Sequence, residues 1–168
     1  RSDYDPALIS PGGGVFSRSA KSLTLSAQAK AALGIEETVG QLTPAEVVSA
    51  ILRAPVDLLF NGGIGTYVRG ANEADAEVGD RANDAVRVTG AQVRARCAAE
   101  GGNLGWTQPG RVEYALAGGR INTEFIDNAA GVDTSDNEVN IKILLSGPVA
   151  KGDLSLASRD ALLADMTE

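Results

Sequence analysis

The sequence predicts an α/β fold of parallel strands joined by helical crossovers. Three observations carry that expectation. Apolar segments of strand and helix length alternate along the chain, and each strand-like segment ends in a small, asparagine-bearing turn. The 20 glycines accompany only 3 Phe, 3 Tyr and 1 Trp, a balance suited to short strands, tight turns and closely packed backbone. At 168 residues the chain suffices for one ordinary domain with a sizeable core, or is a piece of something larger.

Each element has its own warrant. Residues 1–40 are an irregular lead-in with one short helix: Pro6, Pro11 and Gly12-Gly13-Gly14 deny periodicity, then residues 26–33 read as a helix ended by Gly34. Thr43-Pro44-Ala45-Glu46 supplies an N-cap hydroxyl, a first-turn proline and a capping-box glutamate ahead of Val47, Val48, Ile51 and Leu52. Pro55 stops that helix, and residues 56–60 read as a buried strand ending at Asn61-Gly62-Gly63. Residues 67–89 are acidic, with apolar positions too sparse for a buried face, so they predict a surface excursion. A second strand over 93–99 runs into Glu100-Gly101-Gly102-Asn103-Leu104-Gly105, and a helix from Gln108-Pro109 carries Val112, Ala115 and Leu116 to Gly118-Gly119. A third strand over 121–126 precedes Asp127-Asn128-Ala129-Ala130-Gly131. Ser135-Asp136-Asn137-Glu138 reads as a capping box for a helix closed by Gly147-Pro148, and a last helix covers 155–166. The expected organisation is therefore a lead-in over 1–40, a half domain over 41–147 and a C-terminal helix over 148–168.

Composition excludes several chemistries. With 22 Asp+Glu against 15 Lys+Arg, the net charge of -7 opposes binding to phosphate backbones or anionic membranes, so neither nucleic acid nor membrane is expected as a partner. The absence of histidine excludes serine–histidine triads, histidine general bases and histidine-ligated metals within this chain. One cysteine, Cys97, makes neither an intrachain disulfide nor a zinc cage, which fits a reducing cytoplasm, and no metal site is expected. No apolar run approaches the roughly 20 residues of a membrane helix, and Arg1-Ser2-Asp3-Tyr4 lacks a signal-peptide pattern.

Parallel strands bring their carboxyl ends to one edge, where ligands of α/β sheets collect. That edge would hold Asn61, Gly62, Gly63, Gly102, Asn103 and Asn128: glycine for close backbone approach, asparagine for paired donors and acceptors. Turn chemistry accounts for the same asparagines and glycines, and a helix cap accounts for Ser135. The run Asp80-Arg81-Ala82-Asn83-Asp84 reads as solvated, locally paired charge, and Trp106 and Cys97 as packing residues. No G-x-G-x-x-G follows a strand, and none of Lys21, Lys30, Lys142 and Lys151 falls in a strand-end loop, so nothing here grips a pyrophosphate. The piece reads as a partial Rossmann-like three-layer fold, the second half of a dinucleotide-binding domain.

At these residues the chain resembles the large bacterial NAD-specific glutamate dehydrogenases. The resemblance runs from Leu8-Ile9-Ser10-Pro11-Gly12-Gly13-Gly14-Val15 and Arg18-Ser19-Ala20-Lys21 through Asn61-Gly62-Gly63-Ile64-Gly65-Thr66-Tyr67-Val68 and Val78-Gly79-Asp80-Arg81-Ala82-Asn83-Asp84, then Glu100-Gly101-Gly102-Asn103 and residues 122–142. It implies a fragment of roughly one tenth of an enzyme, given the domain sizes usual for soluble proteins. It implies NAD as cofactor, L-glutamate and 2-oxoglutarate as substrate and product, the remainder of the same polypeptide as partner, and a homo-oligomer at full length. Through the shorter hexameric relatives, Asn103 and Asn128 would contact the nicotinamide and its ribose, and Val132 and Ser135 would lie where the glutamate side chain is held. Gly102 and Ala130 depart from the relatives' Glu-Gly-Ala-Asn and Asn-Ala-Gly-Gly-Val patterns.

In that family a lysine and an aspartate of a separate substrate domain move the protons, so no catalytic residue is expected in this fragment. The isolated 168 residues are expected to be inactive and to bind NAD weakly if at all; any glutamate turnover by them would show otherwise. Two other readings stand beside this one: a noncatalytic α/β module binding a small anion or nucleotide, and an interaction domain docking through its acidic stretch.

Overall fold

The computed structural model describes residues 5–166; the Arg1-Ser2-Asp3-Tyr4 start lies outside them. The two capped helices form where their side chains can replace missing backbone partners. Ser26 Oγ accepts the Ala29 N–H at 3.0 Å to open α1 (Ala27–Leu33), and Gly34 closes it at φ 64°. Thr43 Oγ1 accepts the Glu46 N–H and Glu46 Oε2 accepts the Thr43 N–H at 2.7 Å, a reciprocal box that opens α2 (Pro44–Leu52). Val47 of α2 joins Leu23 and Leu25 in one small apolar cluster.

Five strands follow: β1 (Leu58–Asn61), β2 (Val68–Arg69), β3 (Val88–Thr89), β4 (Cys97–Glu100) and β5 (Arg120–Ile121). The three predicted strand positions build one sheet of order β1-β4-β5, parallel throughout, with Asn61 opposite Glu100 and Cys97 opposite Arg120. Between β4 and β5 lies α4 (Gln108–Leu116), capped by Thr107 with Pro109 in its first turn. Side chains from β2, β3, β4, the segments before and after β4 and α4 fill the main core: Val68, Val88, Val93, Ala95, Ala98, Trp106 and Tyr114. The Trp106 and Tyr114 rings meet at 5.0 Å, so the tryptophan packs as expected, whereas Cys97 is only half-buried.

Four expectations are corrected. Residues 67–89 are no mere surface excursion, because β2 and β3 pair in parallel and bury Val68 and Val88 almost completely. Their acidic residues, with α3 (Asp75–Val78), turn onto Arg87 instead of facing only water. The third strand stops at Ile121: the Asn122 carbonyl accepts from Arg111 at 2.6 Å, Glu124 pairs with the same arginine, and the chain enters α5 (Glu124–Asp127). Ser135 caps nothing. Here α6 (Ala129–Asp133), a π-helical turn (Thr134–Glu138) and α7 (Val139–Lys151) run on without interruption. The Ser135 hydroxyl instead donates back to the Val132 carbonyl at 2.9 Å, a bond open to serine inside a helix. Pro148 lies within α7, whose end waits for Gly152 at φ 80°, so the helix runs on past a residue that donates no backbone hydrogen bond.

Contacts divide the chain into two compact units, the first ending at Glu124 and the second beginning at Phe125. The first holds both clusters and all five strands. The second is helical, with α8 (Leu156–Asp165), capped by Ser155, burying Leu163.

Candidate functional site

The first unit collects its polar loop residues at the carboxyl edge of β1 and β4, because parallel pairing ends both strands in register at Asn61 and Glu100. The loops beyond them touch backbone to backbone. A Cβ on Gly102 would overlap the Gly63 carbonyl oxygen and lie 3.0 Å from the carbonyl carbon, so only a residue without a side chain fits without displacement. Asn61, Gly62, Gly63, Gly102 and Asn103 therefore share one edge, with Asn103 exposed upon it.

That edge is held under tension. Leu104, directly after Asn103, sits at φ 57°, a left-handed conformation that costs a bulky residue about 1–3 kcal/mol. Neighbouring bonds enforce it: Thr66 Oγ1 donates to the Leu104 carbonyl at 2.7 Å, and the Gly105 carbonyl accepts the Tyr67 N–H at 2.8 Å. Beneath lies a cavity of about 390 Å³, walled by Ile51 and Leu52 of α2, Leu59 and Asn61 of β1, Tyr67 and Trp106. Arg18 is the one charged side chain lining it among the described residues. The Asn61 amide nitrogen is buried beside Gly105 and has no hydrogen-bond partner among the described residues. An unsatisfied buried donor next to an apolar cavity is expensive to maintain.

Two buried arginines brace these loops. Arg87 donates from Nε to the Thr66 carbonyl at 2.9 Å, from Nη1 to Asp75 and Asp84, and from Nη2 to the Asp80 carbonyl. Asp80 in turn accepts the Thr66 N–H at 2.8 Å and an amide hydrogen of Asn83 at 2.6 Å. These bonds, the one from Asn83 foremost, hold the Asp80 carboxyl below its usual pKa. Arg111, 5% exposed, pairs with Glu100 at 2.6 Å and Glu124 at 2.8 Å. Neither arginine carries a sequence signal beyond position: Arg87 ends an acidic run, and Arg111 lies on the inward face of a recognisable helix.

The other three expected residues lie in the second unit. Asn128 occupies the N-cap position of α6, is buried, and makes no side-chain cap bond to the helix. Val132 lies on α6 and Ser135 in the π-helical turn, both exposed. Since Ser135 sits mid-helix, Ser135→Ala is expected to leave stability unchanged or to raise it by about 0.5 kcal/mol, reflecting the better helix propensity of alanine. Thermal unfolding checks this; a loss of about 1 kcal/mol would restore the cap. Among the described residues there is no group of three or more His, Cys, Asp or Glu side chains placed to hold a metal, and no helix long and apolar enough to cross a membrane.

Comparison with known proteins gives these loops a context. The family model described as bacterial NAD-glutamate dehydrogenase, catalytic domain, matches residues 1–168. The chain is 58% identical over 171 residues to the NAD-specific glutamate dehydrogenase of Mycobacterium tuberculosis, covering 99% of this chain and 10% of that protein. It is 56% identical over 166 residues to the proteins of the same name from Halomonas elongata and Pseudomonas aeruginosa, again covering 99% of the chain and 10% of each. The chain thus spans about a tenth of the length of the curated relatives it matches. On identity and coverage of this order, the chain belongs to the bacterial NAD-glutamate dehydrogenase family and represents part of its catalytic domain.

Proposed function

We propose that this chain forms the nicotinamide side of the cofactor cleft in an NAD-dependent glutamate dehydrogenase. The enzyme would deaminate L-glutamate oxidatively to 2-oxoglutarate and ammonia. The observation that carries the reading is the meeting of the two asparagine- and glycine-bearing loops at the carboxyl edge of parallel β1 and β4, the edge where such sheets bind ligands. The residues present fit one end of the cofactor. An apolar cavity with a single cation and an unsatisfied amide suits an uncharged carboxamide ring, and no G-x-G-x-x-G turn follows a strand to take the pyrophosphate. NAD would supply the hydride acceptor.

This chain's own part is to bind and orient. Asn103 and Asn128 would contact the nicotinamide and its ribose and Asn61 would also bind the cofactor, while Gly62, Gly63 and Gly102 let the ligand reach the backbone. Val132 and Ser135 would bear on the glutamate side chain. Proton transfer and pyrophosphate binding fall to the remainder of the polypeptide. The half-exposed edge strand supports that partner: Leu58 and Phe60 of β1 and Ile64 beyond it leave 54%, 62% and 90% of their surface uncovered. A homo-oligomer in the cytoplasm completes the reading.

The test uses the full-length enzyme. Asn103→Ala is expected to weaken NAD binding about 5- to 10-fold in a calorimetric titration, the worth of one or two hydrogen bonds. Unchanged NAD affinity in both Asn61→Ala and Asn103→Ala would refute the placement. Since Ser135→Ala leaves the helix intact, any rise in the glutamate KM of that variant would report direct contact.

A further inference from the structure

We infer that Arg111 is a positioning residue for the cofactor cleft, setting the loops after β4 and β5 in register with one another; the inference rests on the cleft reading above. One guanidinium spans both strand ends. Its Nη1 donates to Glu100 Oε2 and to the Asn122 carbonyl, each at 2.6 Å, and its Nη2 donates to Glu124 Oε2 at 2.8 Å. Glu100 is the fully buried last residue of β4, Asn122 directly follows β5, and Glu124 opens α5. The chain reaches Asn103 three residues after the first anchor.

Stability alone does not account for this arrangement. Burying one cation against two carboxylates costs more desolvation than a well-packed apolar trio, and Arg111 Nε remains buried with no hydrogen-bond partner among the described residues. What the arginine does provide is geometry. A planar fork with fixed donor directions locks two carboxylates and a carbonyl at set angles, which neither an ammonium group nor apolar packing does. Small errors in the placement of binding groups cost large factors in function, so a device that fixes both loop origins acts on the cofactor without touching it.

The experiment is made in the full-length enzyme with NAD as the probe. Arg111→Lys keeps the charge and loses the fork. The KM for NAD is expected to rise at least 10-fold, with the dissociation constant rising in parallel. A purely structural role would lower the yield of folded enzyme and leave the KM of the surviving molecules unchanged. Should Arg111→Lys fail to fold, Glu124→Gln, at the more open end of the triad, is expected to raise the KM about threefold. An unchanged NAD KM in whichever of these two variants folds overturns the positioning role. Absence of NAD binding by the wild-type enzyme would instead overturn the cleft reading, and the inference with it.

Discussion

Gly110→Ala is expected to destabilise the first unit by about 2–4 kcal/mol, although the same replacement in an open helix stabilises by about 1 kcal/mol. The sign reverses because α4 lies directly on the backbone of β2. A Cβ at Gly110 would stand 2.6 Å from the Arg69 carbonyl carbon and 2.8 Å from its Cα, and neither is the movable end of a side chain. From the other side, a Cβ at Gly90 would overlap the Gly110 carbonyl oxygen and come within 3.0 Å of the Tyr114 nitrogen. The helix has little room to retreat. The Thr107 N–H donates to the Val68 carbonyl at 2.9 Å, Glu113 accepts the Ala71 N–H at 2.8 Å, and the Tyr114 hydroxyl donates to the Ala95 carbonyl at 2.8 Å. Hydrogen exchange of the full-length protein should show faster opening over 66–70 and 105–116. Gly40→Ala is the control: an added Cβ on that exposed glycine meets nothing within 4 Å and its φ is not positive, so it should lose nothing and gain up to about 1 kcal/mol. Wild-type protection in Gly110→Ala would mean that α4 and β2 are not in backbone contact.

Local patterning made α1, α2, β1, β4 and α4 legible, because each is bounded by a cap, a proline or an Asn-Gly turn whose effect acts within a few residues. What escaped is what depends on distant partners. β2 and β3 are two residues long and contribute one deeply buried valine each, so no periodicity announces them; they exist because Val68 and Val88 pair beneath Trp106. Residues 121–126 read as strand, yet Phe125 and Ile126 are largely exposed once Arg111 has drawn Asn122 and Glu124 aside. Ser135 and Glu138 have capping-box spacing, but a helix already running from Ala129 leaves the motif nothing to cap. Of the site, the asparagine and glycine loops were visible as residue types at strand ends. Their bracing was not, because the carboxylates that meet Arg87 and Arg111 lie up to 13 positions away and look like ordinary surface charge.

Arg87→Met is expected to cost about 3 kcal/mol at neutral pH and to loosen the loop that carries Gly62 and Gly63. Methionine fills much of the same volume, so the loss measures the bonds more than a cavity. The Arg87 side chain has no exposed surface, and it serves the Thr66 and Asp80 carbonyls as well as Asp75 and Asp84. Those two carboxylates are more than a third exposed, so water screens them and the value stays at the low end for a broken buried pair. The pH dependence separates charge from packing. Hydrogen bonds from Arg69 first and Arg87 second hold the Asp75 carboxyl below its usual pKa, and Asp80 is depressed as well, chiefly by Asn83. A depressed carboxyl contributes stability that is complete above its unfolded pKa of about 4 and is lost as pH falls through the lower folded value. Burial opposes the charge on Arg87, but its bonds to Asp84 and Asp75 outweigh that and raise its pKa, so the arginine stays protonated throughout. As pH falls through the lowered folded value of Asp75, that carboxyl takes up its proton and needs the cation less. The stability gap between the wild type and Arg87→Met should therefore narrow on acidification from pH 7 to pH 3. Hydrogen exchange over 64–70 and 86–90, corrected for intrinsic rates at each pH, provides the measurement. A gap that stays constant across that range would mean that Arg87 acts by filling space, and that the acidic run it gathers plays no part in fixing the cleft.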